Sequence, residues 1–133
     1  MPKYAILLEG KGKKTEFQTI ECVDDVMGLD QLREVIGCFD VAVCVSNMVP
    51  DLLLAYDKNF LSRPTPTPTP VASTLNGYCK NGQCLCGNVL VFVNNEDGEC
   101  ATYDEAGVNN LMWQFKMLKT AMCPLIDFDL QQH

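Results

Sequence analysis

The chain has 133 residues but only one histidine, His133, and one tryptophan, Trp113. Acyl transfer or hydrolysis by a serine or cysteine nucleophile usually draws on a histidine base. A single histidine at the last position, where residues seldom support a packed constellation, argues against a Ser–His or Cys–His enzyme. The expectation is a non-enzymatic protein with no catalytic residues and no cofactor. Basic residues are also scarce: 10 Lys and Arg face 17 Asp and Glu, giving a net charge of −7. Such a surface repels phosphate backbones and disfavours general nucleic-acid binding, yet a small anion in a locally positive pocket stays open. No apolar run reaches the ~18 residues of a membrane span, so no membrane partner is expected. The apolar patch Ala5–Leu8 is too short for a signal-peptide core, which points to the cytoplasm.

Cysteine is not scarce. There are eight, too few for a secreted disulfide scaffold and more in keeping with buried thiols. The densest group, Cys79-x4-Cys84-x-Cys86, lacks the C-x2-4-C knuckle of a zinc site, so no metal is assigned; a Cys79–Cys84 disulfide across Asn81-Gly82 is a minor alternative. Gly10-Lys11-Gly12-Lys13-Lys14-Thr15 hints at a phosphate loop but has Leu7 where the first glycine is required. It reads as a hairpin tip, and as the one positive cluster on an acidic chain. Paired carboxylates at Asp24-Asp25 and Glu96-Asp97 fall in turns; Asp127 and Asp129 would share one strand face.

The apolar pattern predicts an α+β fold. Lys3–Leu8 and Phe17–Val23 read as a hairpin, Leu29–Ile36 as a helix stopped by Gly37, and Phe39–Val45 and Asp51–Tyr56 as strands. Val71–Leu75 fits one helical turn. Cys84–Val93 is apolar on both faces, so it should be central in the sheet. Thr102 and Glu105 have capping-box spacing ahead of a helix with the stripe Val108, Leu111, Met112, Phe115 and Leu118. Trp113 lies off that stripe and suits either an interface or partial burial in the core. Ile126, Phe128 and Leu130 alternate as an edge strand. The expected architecture is a mixed or antiparallel sheet of about five or six strands against two helices.

The stretch Arg63–Pro70, RPTPTPTP, reads by composition as a stiff linker. Cutting there leaves two halves of roughly 60 residues, each marginal in size and each an incomplete sheet. Proline at alternate positions of an extended segment removes donors from one edge only, and Thr65, Thr67 and Thr69 keep theirs on the other. The expectation is one domain over residues 1–133, with 63–70 extended inside it.

Pro70-Val71-Ala72-Ser73, Leu75-Asn76-Gly77, Cys86-Gly87-Asn88-Val89-Leu90-Val91 and the turn Asn95–Glu99, preceded by Leu29–Gly37, give an order that resembles the uncharacterised "domain of unknown function 3846" family of phages, plasmids and their bacterial hosts. The resemblance spans residues 28 to 100. Thr69 stands where that family has Asn before proline, and Cys38 where it has a second glycine. The resemblance implies one domain and a mobile-element origin, and no activity.

The function expected is a phage or mobile-element protein that binds and sequesters a small nucleotide-like signalling molecule in the host cytoplasm, countering host defence. Its ligand-binding residues would be Arg63 against a phosphate, hydroxyls from Thr65, Thr67, Thr69 and Ser73, polar contacts from Asn76 and Asn88, and Tyr78 or Tyr56 stacked on a base. A homo-oligomer is expected, with Trp113 and the long helix at the contact. The alternative is an acidic protein-interaction module that inhibits a host protein.

Overall fold

A computed structural model describes residues 2–11, 14–60, 69–75, 85–95 and 97–117. The strands are β1 (Lys3–Lys11), β2 (Lys14–Cys22), β3 (Val41–Val45), β4 (Leu52–Asp57), β5 (Val89–Asn94) and β6 (Cys100–Ala101). The helices are α1 (Leu29–Ile36), α2 (Pro70–Leu75) and α3, helical over 105–117. The sheet order is β2-β1-β5-β4-β3, with β6 added to β5, and every pairing is antiparallel. Among the described residues this is an α+β fold with one sheet of six strands and three helices. β5 lies between β1 and β4, so strands from both sides of the Pro-Thr stretch share that sheet.

The central position of β5 follows from its sequence. Val89 and Val91 point into one core, with Ile6, Leu8, Leu52 and Leu54; Leu90 and Phe92 point into the other, with Leu7, Leu53 and Ala55. α2 and α3 cover the first core through Val71, Ala72, Leu75, Val108, Leu111 and Phe115. α1 covers the second through Leu32 and Ile36. All these side chains are at least nine-tenths buried. Each fully buried aliphatic or aromatic side chain contributes roughly 1.5–3 kcal/mol.

Several expected element ends move, β1 reaching Lys11 and β2 starting at Lys14, and three of the shifts have a clear local reason. β5 starts at Val89 and not at Cys84, because Gly87 at φ 80° takes the chain out of extended geometry. β3 starts at Val41 and not at Phe39. The Phe39 carbonyl accepts a 2.9 Å bond from Arg33 Nε, and the Phe39 ring lies 4.1 Å under that guanidinium. α3 is capped by Asp104 and not by Thr102: Asp104 Oδ1 accepts from the Gly107 N–H at 2.7 Å. Thr102 instead donates its hydroxyl toward the carbonyls of Asp24 and Asp25. α2 is a helix in its own right, one more than the two expected. Among the described residues no helix is long and apolar enough to cross a membrane. The expected strand at 126–130, Leu118, and Cys79, Cys84 and Cys123 lie outside the described residues. Cys22, Cys38, Cys44, Cys86 and Cys100 are in no disulfide.

Candidate functional site

Four polar side chains are buried among the described residues: Thr15, Ser46, Thr69 and Ser73. All four hold α2. A helix this short has little stability of its own, so its ends need partners from elsewhere. At the N-terminal end, Pro70 fills the first helical position, which needs no donor. The next N–H, of Val71, donates to Thr15 Oγ1 of β2 at 3.1 Å. Thr69 precedes the helix and accepts the Ser73 N–H at its carbonyl, 2.9 Å. At the other end, Ser46 Oγ donates to the Leu75 carbonyl at 2.6 Å and accepts from the Val49 N–H at 3.0 Å.

Thr69 and Ser73 also clip α2 to the segment that leads into β5. The Thr69 N–H donates to the Leu85 carbonyl at 2.8 Å, and its hydroxyl donates to the Gly87 carbonyl. Ser73 Oγ accepts from the Leu85 N–H at 2.8 Å and lies within donating distance of the Thr69 and Leu85 carbonyls, at 2.9 and 3.1 Å. Thr69 and Ser73, expected to offer hydroxyls to a ligand, have these backbone partners in the structure. Both are fully buried, and a buried hydroxyl takes whatever backbone groups would otherwise go unpaired.

The remaining site residues divide into two groups. Asn88 is among the described residues and half-buried. Tyr56 is half-buried on the α2 side of the sheet, its ring edge-on to Phe60 with centroids 5.9 Å apart. It also hydrogen-bonds the thiol of Cys44, and burial raises both groups above their ordinary pKa values. Arg63, Thr65, Thr67, Asn76 and Tyr78 lie outside the described residues, as does the hairpin tip Gly12-Lys13.

Strand direction places the described groups at one end of the sheet. β1 ends there at Lys11 and β2 begins at Lys14. β5 begins there, with Val89 opposite Leu8, and β4 ends there after Ala55 opposite Leu90. Asn88, Tyr56 and the Thr15–Val71 contact thus share that end with the backbone of the lysine-rich hairpin. The sequence shows Thr15 only as the last residue of that basic cluster, and Ser46 carries no motif at all. No family model, curated protein or solved structure matches this chain.

Proposed function

We propose that this chain is a non-enzymatic binding protein that captures a small nucleotide-like anion, with a pocket at the end of the sheet where the hairpin tip meets α2. One observation supports the reading above others: the Thr15–Val71 hydrogen bond joins the only basic cluster of the sequence to the helix that follows the Pro-Thr stretch. On a chain of net charge −7, that is where an anion finds the least repulsion. Arg63 supplies a bidentate phosphate contact, Thr65 and Thr67 add hydroxyls, and Asn88 adds an amide. Thr69 and Ser73 act as supports beneath them, which makes the pocket floor rigid before binding. Asn76 and Tyr78, which follow α2, complete the contacts, with Tyr78 or Tyr56 against the base.

The resemblance to a mobile-element family gives this binding a purpose: removing a host defence signal from the cytoplasm. Native mass spectrometry of the purified chain, with and without a nucleotide panel, tests the reading. The expected result is a retained nucleotide-like anion whose affinity falls at least tenfold in Arg63→Ala and in the pair Lys11→Glu and Lys14→Glu. Failure to deplete any nucleotide from a host extract would sink it. A second reading, an acidic module that inhibits a host protein, draws on exposed Trp113 and Met117 of α3, 63% and 55% accessible. A salt-sensitive protein partner without any bound small molecule would favour it.

A further inference from the structure

The two margins of the sheet are built differently. β2, at one margin, has the sequence KTEFQTIEC and carries Lys14, Glu16 and Glu21, the charged design that discourages strand addition. β3, at the other, reads VAVCV, with no charge and no proline. Its outer side has no strand partner among the described residues.

The register specifies which groups face outward. Val41 pairs with Asp57, Val43 with Ala55 and Val45 with Leu53. On either side of the strand, the Lys58 N–H donates to the Asp40 carbonyl and the Ser46 N–H to the Leu52 carbonyl, both at 2.9 Å. Even-numbered residues therefore direct their backbone groups to β4. Alternation then turns the N–H and C=O of Val41, Val43 and Val45 to the open side. The same three side chains lie on the α1 face of the sheet, opposite Ala55 and Leu53 of that core. Val43 and Val45 stay 43% and 44% exposed, and Phe39, two residues before the strand, is 72% exposed.

We propose that β3 pairs antiparallel with β3 of a second copy, about a two-fold axis through Val43. In that register Val43 faces its own equivalent and Val41 faces Val45, so every outward donor meets an outward acceptor. Opposite residues of an antiparallel pair share a face, which keeps the two α1 layers on the same side and brings the exposed valines together. Charge selects this partner and direction. Asp40 at the start of one strand falls beside Ser46 at the end of the other, away from its own equivalent; a parallel pairing would bring Asp40 against Asp40. For an acidic chain of net −7, an uncharged margin is where a second copy meets less repulsion, and β3 is such a margin. This contact is distinct from the α3 surface expected to carry an oligomer, and it does not depend on the anion pocket.

Sedimentation equilibrium of the full chain across a micromolar concentration series, paired with amide hydrogen exchange, tests the proposal. Wild type should dimerise, and the Val41, Val43 and Val45 amides should gain protection as the dimer forms. Val43→Pro removes only an outward donor and leaves the bonds to β4 in place, so it should weaken association at least tenfold. Val43→Lys should do the same, and it carries the test if the proline variant does not fold. A wild type that stays monomeric overturns the proposal. So does a dimer that survives the folded variants, or equal protection of those three amides in monomer and dimer.

Discussion

A serine hydroxyl has one hydrogen to give and two lone pairs to offer. Ser73 uses the hydrogen on a buried carbonyl and a lone pair on the buried Leu85 N–H. Tyr103 is a contrasting case. Its ring packs against the same core as α2, and its buried hydroxyl finds no partner among the described residues. Burial, with a smaller effect from the Asp51 charge, raises its pKa and holds it neutral. Removing a single oxygen at the two positions should therefore have unequal effects. Ser73→Ala removes the acceptor of the Leu85 N–H and should lower the unfolding free energy by about 1–3 kcal/mol. Tyr103→Phe deletes an unsatisfied group and should be within about 0.5 kcal/mol of wild type, or slightly more stable. Urea denaturation of both variants reads the difference. Equal losses would mean that the Ser73 contacts contribute no more than the packing around them.

At the scale of elements, the caps decide where helices begin and end. α1 ends at Gly37, whose φ of 82° is left-handed; its N–H donates to the Arg33 carbonyl at 2.9 Å. α3 begins at Asp104, so Asp104→Ala should cost about 0.5–2 kcal/mol by the loss of the Gly107 bond. Glu105→Gln should change little, since a reciprocal Thr102–Glu105 box is absent. Thermal melts of the two variants separate the caps, and an equal drop in both would restore Thr102 and Glu105 as the cap. Such local choices explain what the sequence made legible. α1 matched to the residue because leucine periodicity and a stopping glycine are both local. The two-faced apolar pattern of Val89 to Val93 announced a central strand because burial on both sides leaves no polar position. Thr102 misled because it satisfies the capping spacing, while its actual partners, the carbonyls of Asp24 and Asp25, lie far away in sequence. Thr15 and Ser46 were invisible for the same reason: each bonds α2 across the fold. Thr69 and Ser73 looked like ligand groups because sequence does not distinguish a hydroxyl that faces solvent from one that closes a gap between two segments.

At the scale of the molecule, the sheet order ties the chain's halves together. β1 and β2 form one hairpin, and β3 and β4 form another; neither touches the other within the sheet except through β5, which comes after the Pro-Thr stretch. A two-stranded hairpin alone is marginal in water, and α1 alone covers only one face of either. Residues 1–62 on their own should thus lack a cooperative unfolding transition and show poor amide dispersion by NMR. Adding residues 63–133 as a second fragment should restore both, because β5 then supplies the missing partner to Ile6–Leu8 on one side and Leu52–Ala55 on the other. The restored complex should melt as one unit, since the two cores lie on opposite faces of the same central strands and neither can open without exposing β5. A first fragment that folds alone, with native-like dispersion and no response to the second, would show that RPTPTPTP joins two independent units. The central place of β5 predicts the opposite, a single cooperative unit built on one sheet.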